Sequence, residues 1–436
     1  MKKTDRLKEK LQRNAEESRI VLDEEDHNEL KAIMAEEGAK KVTIKWCLYL
    51  RNKSSGAYEA LRNSGCVCLP SQRTLRDYTH CFESTVGFSN MVDQMLMNAA
   101  KLNELKDWEK IVGILVDEMY VREDLIYCKH SGHPSGFSNL GEINEHLLKY
   151  EKAMKDPCNV AKTVMMFMVK GDFTELQFPY TFFPCCDVSG YLLHKPMWDC
   201  IYRLERCGFK VLFVTADGAS VNHALFRKHD SPNKLLYKVP SKYANDGRQI
   251  FFFSDPPHLL KTARNCWASS YRTLKYNGKD ISWQHVQDLY YKDSKRGVRL
   301  VPKLKYELVH LNSFSKMHVD LAAQVFSETV SKILTLSGDQ EVSETAKFIL
   351  MFDRFFDCLN VTNFDKCKKE RKVFQNPYRK SDDFRIKWLQ DEFLAYLMEW
   401  ERQARATDLD AKDQKRMMLS DETLYGIRMT GLYKKK

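Results

Sequence analysis

The chain has 436 residues, 43% hydrophobic and 12% aromatic, which is enough for two to four domains with buried cores and too apolar for a disordered polymer. Its 69 basic and 59 acidic side chains leave a net charge of +10, which suits a polyanionic partner such as DNA without demanding one. No apolar stretch approaches the ~20 residues that span a bilayer. The thirteen cysteines include close pairs, Cys66/Cys68 and Cys185/Cys186, but not the Cys-x-x-Cys spacing of zinc sites. A soluble protein with reduced, mostly buried thiols, in the cytosol or nucleus, is expected.

Residues 1–38 are highly charged, with Leu7, Leu11, Ile20, Leu22, Leu30 and Ile33 at roughly helical spacing. They read as a charged helix, either a short dimerising coiled coil or a solvated amphipathic helix. Residues 40–95 turn compact and helical. "VTIKWCLYLRNK" is one apolar-faced helix and "SGAYEALRNSG" a second, stopped by Gly65. In "LPSQRTLRDYTHCF", Ser71 can cap a third helix that opens on Gln72 and Arg73. This order fits a helix-turn-helix, whose recognition helix reads base edges from its N-terminal turns, and equally a plain three-helix packing unit.

Residues 109–262 read as α/β. "EKIVGILVDEMYV" and "EDLIYCKHSG" suggest a strand pair and "TVMMFMVKG" a third strand. The helix "KPMWDCIYRLERCG" closes on Gly208, and the strand "FKVLFVTAD" follows. Then come a helix, "SVNHALFRKH", the strand "QIFFFSD" and a helix from "PHLLKTARN". Three early antiparallel strands followed by parallel ones reached through helices is the order of an RNase H-like core. Residues 263–370 are mainly helical. Residues 371–436 start with the basic "DKCKKERKVFQNPYRK" already under way and continue in another amphipathic helix.

In such a core the first and fourth strands are neighbours, so an acid in the first and one at the end of the fourth converge. Asp117 and Asp217 take those places. Two carboxylates with a third acid can hold two Mg²⁺ ions about 4 Å apart, with hard oxygen donors as Mg²⁺ requires. Asp is also a common strand-end turn residue, and either role fits each position alone. Glu118 and Asp187 are neighbouring acids that could be confused with the ligands. There is no G-x-x-x-x-G-K-[ST] loop and no strand-linked G-x-G-x-x-G, so a purine nucleotide would need an unconventional site. "FDCLN" sets Asp357 and Asn360 three apart; a carboxylate can accept from guanine N1 and N2, and an amide can address O6 or N7. "SDPPHLLKTARN" puts Asp255, His258 and Lys261 just beyond a strand, at a helix start suited to phosphate or, for the His, to a structural role.

Together these segments resemble the P-element transposases and their THAP-domain relatives. The matching text is "GILVDEM", "FVTADGASVNHALF", "FSDPPHLLKTARN", "VPKLKYELVHLNSFSKMHVDLAAQVFS" and "FFDCLN", with "YLRNKSSGAYEALR" and "LPSQRTLRDY" upstream. The resemblance runs from about residue 40 onward, in family order. It implies an α/β RNase H-like core carrying Asp117 and Asp217 as the first two acids of a DDE-type site. It implies an all-α GTP-binding insertion domain over 263–370, a helix-turn-helix region over 40–95 and a dimerising coiled coil before it. Lys303 would meet the phosphates, Val319 would contact the nucleotide, and Asp357 with Asn360 would read guanine. Gln72, Arg73 and Arg76 would face DNA, the transposon ends being the expected partner. The chain is expected to act in the nucleus, as a homo-oligomer or with a full-length transposase.

The departures from the family also set expectations. The third acid belongs to a D-x-x-E string after the insertion domain. After Asn360 only "SDDF", "QDEF" and "SDET" occur, with neither its spacing nor its apolar context. The N-terminal zinc-coordinating domain has no counterpart either. The chain therefore reads as truncated at both ends, residues 371–436 being the start of a C-terminal RNase H-like part, with an incomplete Mg²⁺ site, GTP as cofactor, and cleavage absent or very weak. The alternative is a non-catalytic DNA- and GTP-binding regulator or domesticated protein.

Overall fold

The computed structural model describes residues 37–64, 67–79, 86–128, 133–139, 160–186, 190–229, 235 and 237–433 except 337 and 371. The helix expected over residues 1–38 lies almost wholly outside this range, as does Asp187. The chain divides into two compact units, residues 1–85 and 86–436.

In the first unit three helices, α1 (Glu37–Lys53), α2 (Ser55–Asn63) and α3 (Gln72–Thr79), close around the fully buried Cys47, Tyr58 and Leu75. Two serines begin helices by satisfying amides that have no intrahelical partner. Ser54 Oγ accepts from Ala57 N, and Ser71 Oγ from Thr74 N, each at 3.1 Å. Ser71 is thus the cap the sequence predicts. Tyr58 buries its ring and donates its hydroxyl to the Pro70 carbonyl at 2.7 Å, tying α2 to the turn before α3.

The second unit begins with α4 (Asn90–Ala100) and builds a six-stranded sheet. Its strands are β1 (Ile111–Tyr120), β4 (Thr163–Gly171), β5 (Gln177–Cys185), β6 (Lys210–Ala216), β7 (Lys238–Pro240) and β8 (Gln249–Ser254), in the order β5-β4-β1-β6-β8-β7. β5, β4 and β1 run antiparallel, while β1, β6 and β8 are parallel. Helices α5 (Gly190–Cys207) and α6 (Ser220–Arg227) make the crossovers and bury one face of the sheet, with Val112, Ile114, Phe167, Val214 and Phe252 inside. Gly113 leaves room for the Phe213 ring: a Cβ there would lie 1.9 Å from it.

One expected strand belongs elsewhere. "EDLIYCKHSG" does not join β1; Ile126–Cys128 (β2) pairs with His133–Ser135 (β3) in a separate two-stranded sheet. The third strand is β5, which carries Pro179 and Pro184. Proline breaks the sequence signal for a strand, but β5 is the edge of the sheet, where a missing N–H costs no inner ladder bond.

Beyond the sheet, α7 (Pro256–Trp267) leads through the hairpin β9 (Lys275–Tyr276) and β10 (Lys279–Asp280) into helices. These are α8 (Trp283–Ser294), α9 (Tyr306–Val309), α10 (Ser313–Met317), α11 (Val319–Val325), α12 (Glu328–Leu336) and α13 (Ser343–Leu359). After them come α14 (Phe364–Glu370), α15 (Phe384–Trp388), α16 (Ala395–Arg405), α17 (Ala411–Arg416) and α18 (Asp421–Tyr433). Trp267, Phe326, Phe348 and Phe352 share one core with Trp388, Phe393 and Trp400, so residues 384–419 pack with the insertion-like helices. α18 then returns to the sheet, where Thr430 Oγ1 accepts from Ser254 N at 3.1 Å and donates to Ser254 O at 3.2 Å.

Beneath α18, His223 is fully buried, and burial pushes its pKa down to about 4. An unfolded imidazole protonates near ~6.5, so lowering the pH from there toward 4 favours the unfolded chain. The neutral ring's contribution is complete above pH ~6.5 and is worth roughly 3 kcal/mol at most. Melting curves from pH 7.5 to 4.5 should show the wild type losing stability faster than His223→Gln. A melting-temperature difference independent of pH would contradict this assignment.

Candidate metal and nucleotide sites

The parallel ladder sets the first site. Val116 pairs with Ala216, which brings the backbone of Asp117, the next residue of β1, near that of Asp217, the first residue past β6, since neighbouring strands lie about 5 Å apart. Asp117 is exposed within β1, and Asp217 is half-buried just past β6. Asp217 Oδ1 accepts from Ala219 N at 2.9 Å and from Asn222 Nδ2 at 2.7 Å. Asp117 Oδ1 accepts from Glu118 N at 2.9 Å. The second oxygen of each carboxylate has no protein partner among the described residues, which leaves two hard donors side by side. That donor set fits Mg²⁺, which takes one or two carboxylates and keeps several waters. Among the described residues no group of three or more His, Cys, Asp or Glu side chains gathers into a metal site.

Asn222 escaped the sequence reading. It lies on the first turn of α6, is 2% exposed, and its Oδ1 has no hydrogen-bond partner, so its buried amide serves Asp217 through Nδ2 alone. The five-residue spacing across a strand–turn–helix was the available signal.

Asp255 sits beside Asp217 in the same way, since Ala216 pairs with Ser254. One of its oxygens is engaged: Oδ2 accepts from His258 N at 3.1 Å and bonds His258 Nδ1 at 2.7 Å, capping α7, while Oδ1 has no partner among the described residues. The hydrogen bond from Asp255 raises the His258 pKa above its ordinary value. Through Oδ2 and the His258 ring the two residues cap and brace the start of α7.

The expected nucleotide residues fall on separate pieces of the helical region. Lys303 is exposed in the turn between α8 and α9, and Val319 is half-buried at the start of α11. Fully buried Arg264 of α7 holds the segment before Val319, donating to the carbonyls of Ser315 and Lys316 at 2.9 Å each and of His318 at 3.4 Å. Asn360 is exposed just past α13. Asp357 differs from expectation. It is 4% exposed, and Lys372 Nζ bonds its two oxygens at 2.9 and 3.0 Å while Gln375 Nε2 donates to Oδ1 at 2.5 Å. The carboxylate meant to accept guanine donors is filled by the chain's own donors. One turn earlier, Asp353 shares Lys372 at 3.6 Å, and burial with the neighbouring Asp357 raises its pKa to about 7.

In the first unit, Arg73 is exposed at the start of α3 and Gln72 reaches Ser55 Oγ at 3.4 Å; Arg76 lies on the same helix.

A mixed sheet of this order, with paired acids and a helical region spliced after it, defines an RNase H-like protein, and sequence comparison agrees. Residues 84–230 match the family described as TNP-like, RNase H N-terminal domain, and residues 257–372 match TNP-like, GTP-binding insertion domain. Two curated relatives are similar. The transposable element P transposase of Drosophila melanogaster is 30% identical over 164 residues, 36% of this chain and 21% of that protein. The human DNA transposase THAP9 is 24% identical over 321 residues, 71% of this chain and 34% of that protein. The chain thus spans about a fifth and about a third of the two curated relatives it matches. The solved Drosophila P element transposase strand transfer complex superposes with a TM-score of 0.62 at 22% identity, covering 88% of this chain and 78% of that one. The chain belongs to the P-element transposase family.

Removing the ammonium beside Asp353 and Asp357 leaves buried carboxylates uncompensated. Lys372→Met should lower stability at pH 8 by about 2 kcal/mol, less than for a fully buried pair because Lys372 is partly exposed. The deficit should narrow as pH falls below 7 and the acids take protons, measured by urea unfolding at pH 8 and pH 5.5. An equal deficit at both would argue against the charge assignment.

Proposed function

We propose that this chain is a DDE-type, P-element-like DNA transposase component that binds a divalent cation at Asp117 and Asp217, guanine nucleotide in its helical region, and DNA. The observation that carries the reading is the register of β1 against β6, which sets the two aspartates side by side inside the RNase H-matching segment. When bound, Mg²⁺ at such a site activates water or a 3′-hydroxyl and stabilises a leaving oxygen. The residues' own part is positional. Asn222 and Ala219 N fix one oxygen of Asp217 and leave the other without a protein partner for a cation. The helical region, 257–372, takes GTP through Lys303, Val319 and Asn360 at its surface, with Asp357 joining only once Lys372 and Gln375 release it. Helix α3 with Gln72, Arg73 and Arg76 forms the helix-turn-helix contact to DNA, and the work is nuclear.

A second reading has its own support. Among the described residues no third acid gathers with Asp117 and Asp217 into a metal site, and Asp255 spends one oxygen on capping α7. A chain with two ligands holds a metal weakly, so alone it acts as a non-catalytic DNA- and GTP-binding regulator rather than a nuclease.

Titrating Mn²⁺ and following its paramagnetic resonance separates these ideas. Asp117→Ala and Asp217→Ala should abolish binding, and Asn222→Ala should weaken it about tenfold by freeing Asp217 to rotate. Unchanged binding in both aspartate variants would sink the metal site. Metal-dependent nicking of a terminal-repeat DNA, absent in Asp217→Ala, would favour the enzyme over the regulator. Calorimetry should find GTP bound in preference to ATP; equal affinities would count against the guanine site.

A further inference from the structure

A basic, aromatic-walled cleft straddles the C-terminal end of the segment that matches the GTP-binding family, with Phe364 inside that segment and the rest of its lining past it. It has a volume of about 370 Å³ and is built by α14, the loop after it and the start of α15; Phe364, Val373, Arg379, Lys380 and Phe384 form its working wall. Two properties set it apart from an ordinary solvated face. Phe384 is 53% exposed and Phe364 39%, so two aromatic rings stay open to solvent beside a concave surface. The Arg379 guanidinium lies 4.0 Å from the centre of the Phe364 ring, and no ion pair takes up Arg379 or Lys380 among the described residues.

Lys366, Lys368 and Lys369 are exposed on α14, extending the positive charge past the cleft. Two acids line the cleft as well. Asp383 is held by buried Arg385, at 2.8 Å to each of its oxygens, while Asp382 stays at the rim. The Phe384 ring is braced edge-on against Phe374 at 5.5 Å, and Phe374 in turn against Trp388 at 5.2 Å. A ring fixed in this way loses little freedom when a flat ligand settles on it.

We propose that this cleft binds a single strand of DNA, with Phe384 stacking an unpaired base and Arg379, Lys380 and the α14 lysines tracking the phosphates. Cations in line with exposed aromatic rings are the chemistry of single-strand recognition, in which every base offers a π-face and sequence matters little. Duplex DNA hides its bases and would meet only the cations. The cleft shares no residue with the proposed metal or guanine sites, and it does not depend on those readings.

The test uses the full chain and a fluorescein-labelled twelve-nucleotide oligo-dT, read by anisotropy across a salt series. In the Arg73→Ala, Arg76→Ala background the wild-type cleft should still bind the oligonucleotide. Phe384→Ala should weaken single-strand binding about tenfold, with little change in salt slope and none in duplex binding. Arg379→Gln with Lys380→Gln should flatten the salt slope by about 1.4, the share of two phosphate contacts on a single strand. All these side chains are exposed, so melting temperatures should match the wild type. Single-strand affinity unchanged in both variants overturns the proposal. So does competition by GTP that the same substitutions abolish, which would make the cleft a mononucleotide site, or an equal loss of duplex binding in Phe384→Ala.

Discussion

The proposed cation site rests on the parallel ladder between β1 and β6 at the middle of the sheet. It brings residues a hundred positions apart to one level, because neighbouring strands in register point the same side chains to the same face. The pairing is held by what surrounds it. Val112, Ile114 and Val116 of β1 and Val211, Val214 and Ala216 of β6 are buried under α5 and α6. On the opposite face Gly113 accepts the Phe213 ring. A one-residue slip would turn every one of these side chains to the wrong face and carry Asp117 away from Asp217. The core therefore enforces the spacing of the acids, and no bond between them is needed.

Helix α7 extends that constraint into the helical region. Its first turn is capped by Asp255, whose amide donates to Ala216 O at 2.9 Å, so the helix starts from the same strand end that carries Asp217. Its last turns carry Arg264, whose charge is removed from water and repaid by three backbone carbonyls; burial lowers its pKa to about 10. One rigid rod thus fixes the sheet edge at one end and the segment before Val319 at the other. A shift of α7 is felt in both places. α18 braces the same rod from outside, and Gly426 allows the approach: a Cβ there would come within 2.7 Å of Leu259.

The sequence makes some of this legible and hides the rest, for physical reasons. Asp117 and Asp217 are readable because an apolar run that stops at an acid is a local pattern, and strand order supplies the neighbour. The order survives a misassigned strand: β2 left the sheet and β5 entered it, so β6 remained fourth. β5 escaped notice because its prolines are tolerable only on an edge, and being an edge is a property of the finished sheet. Ser71 was readable as a cap because capping is local. Asn222, Arg264 and Lys372 were not, since each acquires its role from a partner that only folding supplies. Lys372 lies in a basic run that reads as solvent-facing, yet it reaches back fifteen residues to Asp357.

Asp217 and Asp357 show how little a motif says about the state of its carboxylate. Each belongs to a short family string, and each accepts a buried amide, from Asn222 and Gln375 respectively. The difference is the second oxygen. On Asp217 it has no hydrogen-bond partner among the described residues. On Asp357 it meets Lys372, which neutralises the charge that burial would otherwise penalise. An unneutralised pair of acids at a surface invites a metal ion, whereas an acid already matched by its own ammonium resists a ligand until that ammonium moves. Asp217 keeps one oxygen without a protein partner as folded. Asp357 is closed off by the chain itself, and any guanine that reaches it must compete with an intramolecular donor at high effective concentration.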